Sequence, residues 1–374
     1  MKVTAYVVQD GRMRDLRMDA NGQKRLRGML YPEFQQDREL SACWISTVSL
    51  AYNPKDGLLY CGLTAFDNDI LGTFDLETKK FRSLGFQTIG DRFDIKVHRS
   101  LQFDDDGVLY AATAGLHDLD ERAQAEGGKV FRYYPDTGKF EVLGVPVPRE
   151  YVQTIALDRR RKILYGFTYP VTYAFRFDIA SHTGKNLGYI NSMPHSPVID
   201  DEGNLWGTWT PFYGATGGRS CLFKYNPDKD EMTWYRTALT SLYPGDTGGI
   251  DAVINGGDGF IYVGTSAGAF IRLEPRSVEV KYLGHPLPSG RIAGLVVSKD
   301  GRIYGCGGVD YDTHLFAYDR ASGQFDLLGP IFDAQRHTSC WHTHALCEPR
   351  EGLFYVGETD NPERAGDIWE CKVK

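Results

Sequence analysis

The chain has 374 residues, enough for two average domains or one large β architecture, and it carries 42% hydrophobic residues, 42 Gly, 22 Tyr and 20 Phe. That mix suits an all-β protein with many tight turns and argues against a helical or disordered chain. A formal net charge of −7 excludes nucleic acid as the default partner, because phosphate binding needs a basic face.

The opening "MKVTAYVVQDGRMRDLRMD" is charged throughout and lacks the apolar run of a secretory signal, and no stretch approaches the roughly 20 apolar residues of a membrane span. The expectation is a cytoplasmic protein with no membrane partner, secreted only if a signal was removed ahead of residue 1. Seven cysteines (43, 61, 221, 306, 340, 347 and 371) are odd in number and sit mostly in apolar strand-like runs, as free buried thiols in a reducing compartment would.

From residue 56 onward the sequence repeats itself. A turn followed by a short aromatic-ended strand reads "DGLLY" to Tyr60, "DGVLY" to Tyr110, "RKILY" to Tyr165, "EGNLW" to Trp206, "DGFIY" to Tyr262, "DGRIY" to Tyr304 and "EGLFY" to Tyr355. Most copies are followed by a second turn and a strand ending in "F-x-x-L-G", as in "FDLETKKFRSLG" and "YDRASGQFDLLG". Four antiparallel strands per unit at a spacing of roughly 40 to 56 residues is the period of a propeller blade. The predicted fold is a seven-bladed all-β propeller of four-stranded antiparallel blades, one domain over residues 1–374. The last unit is one strand short, so the N-terminal "KVTAYVVQ" is predicted to complete it and close the ring. The Gly-rich "TPFYGATGGRS" at 210–220 reads as a loop over one face.

In a propeller the first strand of each blade lines the central channel. Counting back from each turn gives a ring of His98, Gln153 or Thr154, His195, Asp251, Ala293 with Arg291 before it, and His344 with His342 beside it. Packing alone favours small or aliphatic side chains there, so histidines at three of seven positions point to a site.

In "HRSLQFDDDGVLYAATAGLH" the acidic turn 104–107 folds a hairpin that brings His117 back towards the sheet edge of His98. The next blade offers "LYGFTYPVTYAFRFD", where Tyr169 stands ready to move a proton and Arg176 to pair with a carboxylate. Trp209, Tyr213 and Arg219, with Trp341 further on, supply the stacking faces and the charge that a sugar acid needs, and Arg99, Tyr173 and His344 complete the predicted binding set. Cys340, His342 and His344 share one strand face in "CWHTHALC", which raises a structural zinc or calcium ion between blades; no cofactor is otherwise required.

Seven blades with His98, His117, Tyr169 and Arg176 in that order resemble the propeller polysaccharide lyases acting on glucuronate-containing glycans, such as ulvan lyases and rhamnose-glucuronate lyases, together with a related propeller rhamnosidase group. The resemblance implies β-elimination on a uronate-containing oligosaccharide or polysaccharide. Arg176, or Arg219 in its place, would neutralise the carboxylate, His98 or Tyr169 would act as base, His117 or Tyr169 as acid, and His195 would join from the fourth blade. Hydrolysis of rhamnosidase type would use the same groove without forming a double bond. A non-catalytic scaffold would tolerate loss of the histidines.

Overall fold

Three of the four D-G-x-x-Y stretches build the same local structure, and in the other, ending at Tyr110, the capping acid is Asp104 two positions earlier. In the computed structural model the Asp caps its own turn, Asp56 Oδ1 accepting the Leu58 N–H and Asp300 Oδ1 the Arg302 N–H. The other carboxylate oxygen accepts the hydroxyl of the aromatic four residues on, Tyr60 at 2.7 Å, Tyr262 at 2.9 Å and Tyr304 at 2.7 Å. The glycine between them takes a φ of 74° to 87° in these copies, where a side chain would strain the turn. One residue pair thus fixes the turn and satisfies a phenol that would otherwise be buried unbonded. The third copy has Arg161 where the others have an acid, and there the buried Tyr165 hydroxyl has no partner.

The structure describes residues 1–8, 44–115, 122–211, 218–239, 242–243, 246–361 and 364–373. Seven four-stranded antiparallel sheets stand in a ring. Their first strands are Ile45–Asn53, Leu101–Phe103, Tyr151–Asp158, Val198–Ile199, Ile250–Asn255, Ile292–Val297 and His342–Arg350, each touching the next, with the last against the first. Burial falls outward, from wholly buried second strands such as Ile261–Thr265 to largely exposed fourth strands such as Thr183–Tyr189. The repeat aromatics Tyr60, Tyr110, Tyr165, Trp206, Tyr262, Tyr304 and Tyr355 are all buried. Close blade contact also demands missing side chains: a Cβ on Gly62 would stand 2.6 Å from the Val97 carbonyl oxygen, and one on Gly357 2.4 Å from that of Thr47.

The expected ring closure is present. Strand Lys2–Val7 pairs antiparallel with Asp367–Lys372 as the outermost strand of the seventh blade, in register from Lys2↔Lys372 to Val7↔Asp367. Cys61, Cys221, Cys306, Cys340, Cys347 and Cys371 carry free thiols. Among the described residues the helical content is two 3₁₀ turns, Phe86–Thr88 and Arg122–Gln124, and no helix is long and apolar enough to cross a membrane.

Candidate functional site

Two features of the inner strands build the site. Five of them bulge at the same level, between Thr47 and Ser49, Val152 and Thr154, Ile250 and Ala252, Ile292 and Gly294, and Thr343 and Ala345. The extra residue leaves the ladder, so its carbonyl is available to the channel. The other two first strands, in blades two and four, start late, and the segments ahead of them carry His98 and His195 into the axis.

The bulge carbonyls are then used. His98 Nδ1 lies 2.7 Å from the Gln153 oxygen, His344 Nδ1 2.8 Å from the Val48 oxygen, and Arg99 Nη1 donates to the Asp251 oxygen. The three imidazoles cluster, with ring centroids 4.6 Å apart for His98 and His344, 5.8 Å for His98 and His195 and 6.4 Å for His195 and His344. Nε2 of His98 and Nε2 of His344 meet at 2.9 Å.

Asp251, 1% exposed, anchors the cluster. Its Oδ1 accepts from Arg99 Nη2 at 3.1 Å, Arg291 Nη2 at 2.5 Å and His195 Nδ1 at 3.1 Å, while Oδ2 accepts from Arg291 Nε. Burial alone would raise the Asp251 carboxyl, but Arg291 and Arg99 hold it well below the usual carboxylate range. Burial pulls the His195 imidazole below its ordinary value despite Asp251, so it rests neutral with its hydrogen on Nδ1 and a bare Nε2. Arg99 sits at φ 45°, a left-handed backbone position, and Nε lies 3.3 Å from His344 Nδ1 with Nη1 3.3 Å from Ser196 Oγ. Such an outlier persists only where its surroundings fix it, as these bonds do.

Two cations remain under-used. Arg291 spends Nε and Nη2 on Asp251 and keeps Nη1. Lys96, held by the bridge that links Thr64 to Ala114 between blades one and two, has no hydrogen-bond acceptor for its ammonium among the described residues. Burial brings Lys96 down to about 8 against the pull of exposed Asp360. A cavity of 210 Å³ continues along the channel past Arg99, Ser196 and His344, lined further on by Leu101, Val253 and Leu346.

The ring expected from sequence is therefore assembled for His98, His195, Asp251, Arg291 and His344. Arg99, expected to bind substrate, is instead bonded into the cluster. Other expectations are redirected. Arg176 does not face the channel: Nη1 donates to the Tyr225 hydroxyl at 3.2 Å, which in turn donates to Asp230, so its partner lies in the fourth blade. Third-strand side chains alternate into the space between blades, and Arg176 falls on that side. Tyr169 ends the second strand of its blade, 38% exposed and opposite Tyr151. Tyr173 packs edge-on to Tyr189. Trp209 donates to the Tyr235 oxygen at 3.0 Å and packs on Trp234, and Arg219 is exposed. His117 and Tyr213 lie outside the described residues; the hairpin turn at 104–107 itself is present.

Cys340, His342 and His344 do not form one donor set. His344 turns to His98, His342 bonds Asp310 at 3.1 Å and stacks on Trp341, and Cys340 is buried in the core. Among the described residues no group of three or more His, Cys, Asp or Glu is arranged to hold a metal ion. Sequence reasoning missed Lys96, which no repeat position marks, and Glu358, which binds Arg364 in the last blade.

No family model matches the sequence and no curated protein is similar to it. The fold is similar to that of virginiamycin B lyase from Staphylococcus aureus, at 13% identity over 88% of this chain and 95% of that one with a TM-score of 0.61. It is also similar to an oligogalacturonate lyase solved in complex with manganese, at 13% identity over 88% and 90% of the two chains with a TM-score of 0.58. The extracellular domain of a hybrid two component system from B. thetaiotaomicron is similar at 16% identity over 88% of this chain and 39% of that one, with a TM-score of 0.55. At such identities the likeness establishes the propeller fold.

Proposed function

We propose that this propeller is a lyase that cleaves a glycosidic bond beside a uronic acid in an oligosaccharide by β-elimination, the chemistry that the resemblance to glucuronate lyases implies. The observation that carries the reading is the surplus of positive charge and imidazole around one already neutralised carboxylate on the channel axis. Two guanidiniums face Asp251, and Lys96 adds a third cation, so an anionic sugar finds unspent charge there. That two of the similar propellers are lyases, one named for an oligogalacturonate, supports elimination on this scaffold.

The uronate carboxylate pairs with Arg291 Nη1 and the Lys96 ammonium, which stabilises the negative charge that builds when C5 loses its proton. His195 Nε2 is the base: the C5–H bond breaks, its proton passes to Nε2, and Asp251 stabilises the resulting imidazolium through Nδ1–H. The electron pair becomes the C4–C5 double bond, the C4–O4 bond breaks, and O4 leaves with a proton from the cluster. Hydrolysis by a carboxylate pair is less suited to this centre, where Asp251 is the carboxylate bonded to the cluster and both its oxygens accept from guanidinium.

The test is a panel of glucuronate-containing oligosaccharides followed by near-ultraviolet absorbance of the unsaturated uronate. The wild-type protein should produce the absorbance, and His195→Ala should lower the rate by about 10²- to 10⁴-fold. New reducing ends without absorbance would overturn elimination in favour of hydrolysis.

A further inference from the structure

The His98–His344 contact contains a shortage of hydrogen. Three contacts need one hydrogen each: His98 Nδ1 with the Gln153 oxygen at 2.7 Å, Nε2 with Nε2 at 2.9 Å, and His344 Nδ1 with the Val48 oxygen at 2.8 Å. Two neutral imidazoles carry two hydrogens between them. Neither carbonyl can donate, and two acceptors repel at these separations, so the hydrogens belong on both Nδ1 atoms and the Nε2 lone pairs are left facing one another. Arg99 Nε–H is also aimed at His344 Nδ1, at 3.3 Å; the Val48 carbonyl oxygen at 2.8 Å is much the closer contact and claims a hydrogen on that nitrogen, and the guanidinium supplies nothing to the Nε2–Nε2 gap. Only a third proton, making one ring an imidazolium, satisfies all three contacts.

The surroundings oppose that proton while the site is empty. Burial pushes both imidazoles well below their ordinary value; Lys96, His195 and Arg99 add to this at His98, and Arg99, His98, Arg291 and Lys96 at His344. Among the described residues the one carboxylate bonded to the cluster, Asp251, is neutralised by Arg99 and Arg291, and the acid whose charge acts on Lys96 is exposed Asp360. One added negative charge at Arg291 and Lys96 reverses the balance, because it offsets the cations that disfavour an imidazolium.

We infer that His98 and His344 form a proton-storing pair that is loaded when an anionic group docks at Arg291 and Lys96, and that, on the lyase reading above, returns this proton to the leaving O4. The substrate's carboxylate thereby arms its own general acid. The balance closes: one proton enters from solvent on binding, one leaves C5 for His195, and the stored one goes to O4 as the C4–O4 bond breaks.

The experiment is calorimetric titration of the chelator-treated, desalted protein with D-glucuronate near pH 7, in MOPS and in Tris, whose ionisation enthalpies differ. The expected result is uptake approaching one proton per bound uronate, and uptake falling towards zero with binding retained in His344→Gln. Nitrogen-15 histidine spectra of the wild-type protein provide a readout independent of any variant's folding: two Nδ1–H tautomers without ligand, and one new imidazolium with it. Binding without uptake, or an imidazolium already present without ligand, overturns the storage pair and leaves the lyase reading standing. Failure of D-glucuronate to bind overturns both. Tight uptake of a divalent cation with loss of the Nε2 signals would overturn the pair by showing that a metal fills the gap.

Discussion

Two buried acid–arginine clusters lie near the same face of the ring, and their difference shows what marks a site. Glu358, fully buried, accepts the Trp341 and Asp367 backbone N–H groups, the Asn361 amide, the Trp369 indole and both terminal nitrogens of Arg364. Asp367 in turn takes Arg336 at 2.8 Å. Every partner belongs to the last two blades, acids and bases balance, and the group is spent on holding a loop. Asp251, on the first strand of blade five, draws its side-chain partners from three other segments around the axis, the loops leading into blades two and four and the loop before blade six. Among the described residues it leaves behind an unused Arg291 nitrogen, an unpartnered Lys96, a bare His195 Nε2 and one hydrogen too few. Saturation marks the structural cluster, and surplus marks the functional one.

The largest effect should separate the two at once. Asp251→Asn strands two guanidiniums and frees His195, so both stability, by about 3–5 kcal/mol, and turnover should fall. Glu358→Gln should cost a comparable amount of stability and leave turnover per folded molecule near wild type. Urea unfolding beside rates normalised to folded protein reads both, and a Glu358→Gln protein that is stable yet inactive would break the comparison.

A smaller effect concerns charge at the surplus cluster. Lys96, lowered to about 8 by burial, is cationic below that pH and neutral above it. KM for a uronate should therefore rise as pH climbs through about 8, and Lys96→Arg should carry the rise to higher pH with kcat little changed. An alkaline limb indifferent to Lys96→Arg would remove this residue from carboxylate binding.

The smallest effect restates saturation inside the repeat. Tyr304→Phe deletes a hydroxyl bonded to Asp300 and should cost about 1 kcal/mol, whereas Tyr165→Phe deletes an unpartnered one and should be neutral or slightly stabilising. Equal losses in denaturant unfolding would contradict the reading.

Much of the fold was legible because one local device recurs: an acid that caps a turn also bonds the aromatic four residues later, and this pairing is written in contiguous sequence. The axial ring was legible for the same reason, since a similar distance back from each turn picks out His98, His195, Asp251, Ala293 and His344, with Arg291 just ahead of Ala293. What escaped is set by contacts between distant segments. Arg176 reads like a site residue beside Tyr169, yet its partner Tyr225 is 49 positions away in the neighbouring blade. Arg99 reads as a substrate ligand, yet the bulge carbonyl and carboxylate of Asp251 consume it, and a bulge leaves no signature in a strand's composition. Lys96 has no repeat equivalent, so what distinguishes it is its lack of a hydrogen-bond partner among the described residues.

The closure of the ring by strand Lys2–Val7 has a kinetic side. Blades one to six are made of consecutive strands, so each can zip up from local hairpins as it appears. The seventh must wait, because its outermost pairing joins residues 2–7 to residues 367–372. During synthesis a segment made before blade one is thus held for the last, and until that clasp forms two sheet edges stay open to other chains. Weakening this single seam, for instance with Tyr6→Pro, should prolong that exposed interval and favour aggregation during refolding while leaving the axial histidines untouched.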